Sequence, residues 1–258
     1  MPGSALVTGA SRGIGAGIAR VLLRRGWRVA VCATQADRAQ EVAERLCAET
    51  GCAPGTAIGV ALRVEDPDAW DPAMDRAEAA LGPLEGLVCN AGISPKRDGR
   101  KIVFGEPDCA EVWRRTFAVN VDGTVTGVRR FVQRRRERGV RGGSVVVISS
   151  IGAVVGLPFV SGHYCASKAA LLGFVRTSAH DLGREGMRLN AVAPGRIDTD
   201  MVRESGAEIN RTIAAQTALG RLGTPEDIAP WIAFLASDAA GYATGGAYVV
   251  DGGMTVVV

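Results

Sequence analysis

The stretch Thr8-Gly9-Ala10-Ser11-Arg12-Gly13-Ile14-Gly15 lies between a short apolar run at residues 5–7 and a segment with helical spacing at residues 14–25. Glycines let the chain turn sharply and bring backbone amides close to a phosphate. The free N–H groups and the positive dipole end of the helix that begins here attract the same anion. A glycine cluster between the first strand and the first helix therefore predicts a phosphate-binding turn.

Outward from this turn, short apolar runs alternate with longer amphipathic stretches. We expect strands at residues 5–7, 29–33, 57–62, 87–89, 144–148, 187–192 and 247–250, and helices at residues 14–25, 37–49, 67–81, 107–138, 162–183 and 224–237. Strands that are apolar throughout and separated by helices indicate a parallel sheet covered on both faces. We find no linker or repeat in the sequence and predict one domain over residues 1–258, a single α/β Rossmann fold with a doubly wound, seven-stranded parallel sheet.

The composition argues against several classes of protein. A net charge of +3 is too small to indicate nucleic-acid binding. The six cysteines form no C-x-x-C pair and only two histidines exist, so we expect neither a metal site nor a disulfide framework, and a reducing compartment. No apolar run approaches the roughly 20 residues of a membrane span, and no signal-peptide pattern opens the sequence. We expect a cytoplasmic protein.

The glycine spacing, with Thr8 in front of it, resembles that of the short-chain dehydrogenase/reductase family. The resemblance extends over essentially the whole chain through Asn90-Ala91-Gly92, Asn120, Ser149-Ser150, Tyr164-x-x-x-Lys168, Pro194-Gly195 and Asp251-Gly252-Gly253. The branch that looks most similar contains 3-oxoacyl-carrier-protein reductases and related alcohol dehydrogenases. The resemblance implies a nicotinamide cofactor bound by Gly9, Ser11, Arg12, Gly13, Ile14, Gly15, Thr34, Asn90, Ala91, Gly92, Tyr164, Lys168, Pro194, Gly195 and Ile197.

Tyr164 and Lys168 are four residues apart, so they share one face of a helix. A free tyrosine has a pKa of ~10, and a nearby ammonium favours the phenolate. We therefore expect Lys168 to lower the pKa of Tyr164 and make it a usable general acid or base. The resemblance further implies that Lys168 binds the nicotinamide ribose and that Asn120 kinks a helix and holds a water near the lysine.

A serine at the end of the fifth predicted strand would donate a hydrogen bond to the substrate oxygen. Ser150 stands 14 residues before Tyr164 and Ser149 stands 15 before it, so both remain candidates. From its place at the strand end we prefer Ser150. Ser149 is then expected to face the sheet or a neighbouring loop.

The cofactor preference depends on the end of the second predicted strand. It reads Val31-Cys32-Ala33-Thr34-Gln35 and carries no acid that would bind a ribose 2′-hydroxyl and repel a 2′-phosphate. Arg12 favours NADPH, because an arginine at this place contacts the 2′-phosphate in NADPH-using relatives, and Thr34 adds a hydroxyl. Asp37 is the nearest acid and keeps NAD as the alternative.

Two segments, residues 93–106 and 196–222, have no place in the alternation and follow predicted strands four and six. They are either substrate contacts with a mobile lid or ordinary surface loops. The first contains the basic run at residues 94–101, which indicates an acidic substrate or a solvated loop. The arginines at residues 129–141 are either a solvated helix face or a docking patch for an acidic carrier.

We predict an NADPH-dependent oxidoreductase that reduces a ketone, 3-oxoacyl or other, to a secondary alcohol with Tyr164 as proton donor. One alternative is an NAD-dependent alcohol or dihydrodiol dehydrogenase, and another is a nucleotide-binding regulator without catalysis. The set Asn120, Ser150, Tyr164 and Lys168 argues against the regulator, since binding needs no tuned tyrosine. The expected partners are a small-molecule substrate, free or carrier-bound, and copies of this chain in a homotetramer or homodimer that packs the helical regions 107–138 and 162–183; nucleic acid and membrane are not expected.

Overall fold

A computed structural model describes residues 3–256 of the chain. Its strands are β1 (Ser4–Val7), β2 (Arg28–Ala33), β3 (Ala57–Ala61), β4 (Gly86–Cys89), β5 (Lys96–Arg97), β6 (Arg100–Lys101), β7 (Gly143–Ile148), β8 (Met187–Pro194) and β9 (Ala247–Val250). Seven of them form one sheet in the order β3-β2-β1-β4-β7-β8-β9, and every neighbouring pair is parallel. The predicted doubly wound, seven-stranded parallel sheet is confirmed. The antiparallel hairpin β5–β6 was not predicted.

Helices cover both faces of this sheet. They are α1 (Gly13–Arg24), α2 (Ala36–Thr50), α3 (Trp70–Leu81), α4 (Cys109–Phe117), α5 (Gly123–Glu137), α6 (Gly162–Gly183), α7 (Asp200–Arg203), α8 (Ala207–Gln216) and α9 (Pro225–Ala236). One core layer lies under α1, α2 and α9, and the other lies under α3, α5 and α6. Successive strand residues point to opposite layers, as Leu6 and Val7 do, so each strand is apolar on both sides.

The helical region predicted at residues 107–138 is interrupted. Between α4 and α5 lies a π-helical turn, Ala118–Asp122, with Asn120 fully buried at its centre. A π-turn holds one more residue than an α-turn, and such turns are frequent at functional sites. By contrast, the predicted start of α9 is confirmed, because Thr224 and Asp227 form a reciprocal capping box ahead of Pro225.

One disulfide is present, although the sequence predicted no disulfide framework. Cys47, near the end of α2, is joined to Cys52 just beyond it. Gly51 adopts a left-handed conformation (φ 67°) that ends the helix and turns the chain back. This turn brings the two Cα atoms to 5.1 Å. The other cysteines, all within the described part of the chain, are free.

The arginines of α5 hold helices together. Arg134 donates hydrogen bonds to Asp75 and Glu78 of α3, and Arg138 pairs with the same Glu78. Arg135 is buried and donates to the carbonyl of Leu84. Part of this positive charge is therefore used within the fold, while Arg129, Arg136, Arg138 and Arg141 are exposed. Nowhere in residues 3–256 is a helix both long and apolar enough for a bilayer crossing.

Candidate active site

The start of α1 follows β1, where the strand order reverses. Arg12 is the N-cap residue of α1 and has an extended backbone. The Arg12 side chain does not cap the helix, and the first turn of α1 contains no acidic residue. The first amides of α1 therefore have no side-chain acceptor, unlike those of α9. Free amides at a helix N-terminus form an anion site. The turn thus fits the phosphate groups of a dinucleotide.

Close backbone packing shapes this turn. Gly9 and Gly13 have left-handed conformations (φ 61° and 57°). A Cβ atom on Gly15 would lie 2.4 Å from the carbonyl oxygen of Gly9, so only glycine fits there. Ser11 and Ile14 are half-buried within the same turn.

The end of β4 is fastened to this turn. The Thr8 hydroxyl accepts hydrogen bonds from the backbone amides of Asn90 and Ala91, both at 2.9 Å. The Asn90 side-chain amide donates to the carbonyls of Thr8 and Gly9, both at 3.0 Å. Asn90, predicted as a cofactor contact, thus uses its amide N–H groups to brace the phosphate-binding turn.

An open cleft lies at the carboxyl ends of β7 and β8. Ser150 and Tyr164 both line it. Ser149 is buried, and its hydroxyl donates to the carbonyl of Lys168 at 2.9 Å. The two serines therefore have different surroundings: Ser150 faces the cleft, and Ser149 holds α6 rather than the sheet or a loop.

The pKa of Tyr164 departs from the sequence expectation. Burial raises it, and a hydrogen bond with Ser150 partly opposes that rise. Lys168 is not among the groups that shift it; its ammonium lies 5.8 Å from the centre of the Tyr164 ring. Lys168 thus does not lower the phenol pKa in this arrangement, in contrast to the expectation from residue spacing, and the hydrogen bond with Ser150 favours the phenolate.

Lys168 is itself buried, and its Nζ donates to the carbonyl of Ile148 at 2.7 Å. Burial lowers the pKa of its ammonium to about 8. A Cβ atom on Gly92 would lie 3.3 Å from both this Nζ and Oδ1 of Asn120. Gly92, Asn120 and Lys168 thus meet behind the cleft.

Asn120 is held from two sides. Its Oδ1 accepts from the amide of Ile93 at 2.8 Å, and its Nδ2 donates to the Ile93 carbonyl and the Ser167 hydroxyl, both at 3.0 Å. These bonds join the π-turn to the chain after β4 and to α6.

The remaining predicted cofactor residues lie around the same edge of the sheet. Pro194 ends β8, and the Gly195 amide donates to Val250 at 3.0 Å. The Ile197 side chain is buried in the core, which leaves only its backbone for a ligand. Thr34 is exposed after β2, and Arg12 is exposed and lies 3.8 Å from Asp200.

This chain is similar to known proteins over nearly its whole length. A family profile described as enoyl-(acyl carrier protein) reductase matches residues 9–255. L-rhamnose 1-dehydrogenase (NAD(P)(+)) of Azotobacter vinelandii is 39% identical over 253 residues, with 97% of this chain and 96% of the relative covered. This chain belongs to the short-chain dehydrogenase/reductase family.

Other family members are similarly close. The 3-oxoacyl-(acyl-carrier-protein) reductase FabG of Escherichia coli is 37% identical, with 98% and 97% of the two chains covered. The crystal structure of a 3-oxoacyl-(acyl-carrier protein) reductase from Brucella melitensis has a TM-score of 0.89 at 34% identity and covers 98% of this chain and 91% of its own. This short-chain dehydrogenase/reductase is therefore an NAD(P)-dependent oxidoreductase acting on CH–OH or ketone groups.

Three cations in the cleft of this short-chain dehydrogenase/reductase were not among the predicted site residues. Lys96, Lys101 and Arg196 line it together with Ser150 and Tyr164. Both unassigned segments contribute, because Lys96 and Lys101 lie in residues 93–106 and Arg196 begins residues 196–222. The basic run at residues 94–101 and the position of Arg196 directly after Pro194-Gly195 were the signals available in the sequence.

Proposed function

We propose that this enzyme reduces a ketone to a secondary alcohol with NADPH, with Asn120, Ser150, Tyr164 and Lys168 as its catalytic set. The observation that carries the proposal is the pairing of Ser150 and Tyr164 on one cleft wall at the carboxyl ends of the central strands. Ligands of doubly wound sheets bind at this edge.

Each residue has a distinct task. The cofactor, held by the turn at residues 9–15, would supply a hydride to the carbonyl carbon. Ser150 donates a hydrogen bond to the carbonyl oxygen, and Tyr164 gives up its phenolic proton to the same oxygen. Lys168, held by the Ile148 carbonyl, would bind the nicotinamide ribose, as the resemblance implies. Asn120 positions the segment around Gly92.

A panel of simple ketones, 3-oxoacyl thioesters and diols tests the reaction through nicotinamide absorbance. Tyr164→Phe should lower kcat by about 10²–10⁴, the usual worth of a general acid. Retention of wild-type turnover by this variant would remove Tyr164 as the proton donor. Preferred oxidation of diols with NAD would favour the alternative dehydrogenase.

The proposed preference for NADPH depends on the charged residues near the start of α1 and the end of β2. Arg12 is 71% exposed beside the uncapped start of α1, with only a 3.8 Å contact to Asp200. Thr34 is exposed, and Asp37 lies one residue inside α2. A relative is named for both cofactors, and a similar Brucella melitensis reductase was solved with bound NAD.

The ratio of kcat/KM for NADPH and NADH decides this point. We expect the wild type to favour NADPH and Arg12→Met to lose at least about tenfold of that preference, as removal of a charged hydrogen bond does. Asp37→Asn serves as the matched variant and should change the ratio little. A wild-type preference for NADH would overturn the assignment.

We further propose one domain, a homotetramer or homodimer, and a cytoplasmic location. Exposed aromatic side chains support self-association: Trp113 stacks on Phe117 at 4.7 Å on α4, and Trp231 and Phe234 lie on α9. α6, also expected at an interface, is long but carries fewer exposed aromatics. Sedimentation of the 26.8 kDa chain tests the assembly, and a monomer at micromolar concentration would contradict it.

A further inference from the structure

The cleft beside Tyr164 is unusually positive. Lys96, Lys101 and Arg196 line it, whereas the sixteen lining residues include no aspartate or glutamate. Glu204 lies 3.8 Å from Lys96 but is itself 59% exposed. A concave site lined by one sign of charge raises the local concentration of the opposite ion. The question is which of the three cations is free to bind one.

Both lysines already donate hydrogen bonds to neighbouring segments of the chain. Lys96 donates to the carbonyl of Met201 and to the hydroxyl of Ser205, and thereby ties the β5–β6 hairpin to α7 and the chain after it. Lys101 donates to the carbonyl of Pro158 at 2.5 Å. Both positive charges contribute to the potential in the cleft, but their hydrogen bonds serve the loops.

Arg196 differs from both lysines. Its Nε and Nη2 donate to a single amide oxygen, Oδ1 of Asn210, at 3.2 and 2.9 Å. Its guanidinium carbon lies 5.3 Å from the centre of the Phe159 ring. Within residues 3–256 no carboxylate forms an ion pair with it, and its Nη1 has no hydrogen-bond acceptor. Burial lowers its pKa, with no charged group opposing that shift.

The Arg196 side chain is half-buried in the lining of the cleft, and no charged group balances it. Removing a guanidinium from water is unfavourable unless an anion or several acceptors replace the water. Asn210 and Phe159 fix the plane of the guanidinium but leave its charge uncompensated. Held in this way, the group needs little reorganisation to receive an oxyanion, which arginine binds through paired N–H groups.

We propose that Arg196 is a specificity residue that binds an oxyanion on the substrate, namely a carboxylate, sulfonate or phosphate carried on the same molecule as the reacting ketone or alcohol. The assignment rests on the proposed function for the position of the reacting carbon, and it narrows the substrate to anionic oxo or hydroxy compounds. The positive potential of Lys96 and Lys101 favours the same ligands.

Direct binding tests the anion site without any turnover. Hexanoate, hexanesulfonate and hexyl phosphate are titrated into the enzyme and compared with neutral hexanamide by ligand-observed NMR. We expect at least one anion to bind at least about tenfold more tightly than the amide, and Arg196→Met to lose that advantage. The ranking of the three anions identifies the head group.

The matched control is Arg203→Met. Arg203 lies on α7, is paired with Asp198 and does not line the cleft, so this variant loses the same charge nearby. It should bind the anions as the wild type does. Equal binding of amide and anions, no measurable anion binding, or equal losses in both variants would each overturn the proposal.

Kinetics separates this inference from the proposed function. With a ketone that carries the preferred anion and its neutral ester or amide, Arg196→Met should raise KM for the anionic ketone at least about tenfold and leave the neutral ketone nearly unchanged. An unchanged KM for the anionic ketone contradicts the role of Arg196. If no ketone or alcohol turns over while the anions still bind through Arg196, the proposed function fails and the anion site stands.

Discussion

Neighbouring residues at the end of β7 have opposite surroundings. The hydroxyl of Ser149 is bonded to the backbone of α6, while that of Ser150 accepts from the Gly152 amide and pairs with Tyr164. Strand alternation explains the difference, because successive side chains point to opposite sides. Strand position alone pointed to Ser150 in the sequence, but the partner of Ser149 required the packing of α6.

Alanine variants of the two serines should affect different properties, namely turnover for Ser150 and stability for Ser149. We predict that Ser150→Ala lowers kcat by about 10²–10³, the effect of losing one donor to a developing oxyanion, with little change in stability. Ser149→Ala should keep kcat within a few-fold and lower the free energy of unfolding by about 1 kcal/mol. Steady-state kinetics and urea unfolding measure the two effects. A larger kcat loss in Ser149→Ala would reverse the assignment.

The buried amine of Lys168 makes stability depend on pH. Its pKa is about 8 in the fold against an ordinary value of 10.5, so the folded chain binds fewer protons than the unfolded chain between those values. Stability relative to Lys168→Met should therefore rise with pH across this window, by up to about 3 kcal/mol. Urea unfolding of both proteins from pH 7 to about pH 10 measures the difference. A constant difference would contradict the effect of burial.

The pKa of Tyr164 could not be predicted from residue spacing alone. The i, i+4 relation correctly placed Tyr164 and Lys168 on one helix. It could not show that the ammonium would be directed to the Ile148 carbonyl, or that burial of the phenol would dominate. Both depend on neighbours that are distant in sequence. For the same reason, Arg196 was read only as the first residue of a loop.

At the scale of elements, the helices α1 and α9 differ in how their N-termini are capped. α1 begins without a side-chain cap or an acid, whereas α9 begins with a complete capping box. A cap satisfies amides that an anion would otherwise bind. The helix that faces the ligand edge therefore lacks the stabilisation that the structural helix has.

A methyl group at Gly15 should disturb the turn before α1. Its Cβ atom would lie 2.4 Å from the Gly9 carbonyl oxygen and 2.5 Å from Nδ2 of Asn90. We predict that Gly15→Ala raises KM for the cofactor at least about tenfold and lowers the free energy of unfolding by about 1–3 kcal/mol. The control is Gly183→Ala, at the exposed end of α6, where nothing lies within 4 Å. Unchanged cofactor affinity in Gly15→Ala would contradict the close packing.

The capping box of α9 should contribute stability that acid removes. Arg221, followed by the backbone and hydroxyl of Thr224, holds the pKa of Asp227 well below its usual range. A carboxylate of this kind stabilises the fold above its unfolded pKa of ~3.9, and the contribution is lost as pH falls below that value. We predict that Asp227→Asn costs about 1–2 kcal/mol at pH 7 and less at pH 3. Thermal unfolding at both pH values, with Glu226→Gln as control, tests the expectation.

Element boundaries show where sequence patterns reach their limit. The seven sheet strands were found because each is an apolar run, although β8 extends two residues beyond its predicted end through pairing with β9. The β5–β6 hairpin was missed because two-residue basic strands carry no apolar signal. α7 and α8 were likewise read as loop. The Cys47–Cys52 pair was missed because its closeness comes from the turn at Gly51.

At the scale of the whole molecule, acids of α3 and arginines of α5 connect two helices of one layer. Glu78 is nearly buried and receives both Arg134 and Arg138, whereas Asp75 is 69% exposed and receives Arg134 alone. Buried partners of ion pairs are costly to remove, while exposed pairs contribute little. Comparing variants of Glu78 and Asp75 therefore tests whether the buried ion pairs hold α5 against α3.

Glu78→Gln should therefore be more damaging than Asp75→Asn. We predict a loss of about 1–3 kcal/mol in the free energy of unfolding for Glu78→Gln, because two guanidiniums lose a shared carboxylate. Asp75→Asn should cost less than about 1 kcal/mol. Guanidinium chloride would screen the pairs, so urea unfolding at low salt is the measurement. Equal losses in the two variants would mean that the overall charge balance, and not the buried carboxylate of Glu78, stabilises this pair of helices.

The π-turn at Ala118–Asp122 constrains insertions and deletions in this chain. An α-helix advances about 100° per residue, but a π-turn takes up one extra residue within a single wider turn, so deleting one residue here would restore a regular helix and leave the rotational phase of α5 unchanged. Val128 and Phe131 would therefore stay in the core, whereas the local bulge that brings the Asn120 amide to Ile93 would be lost. Loss of this one residue is therefore expected to spare the packing of α5 and to remove the bonds of Asn120, whereas a deletion in the regular turns of α5 would rotate the residues after it by about 100°.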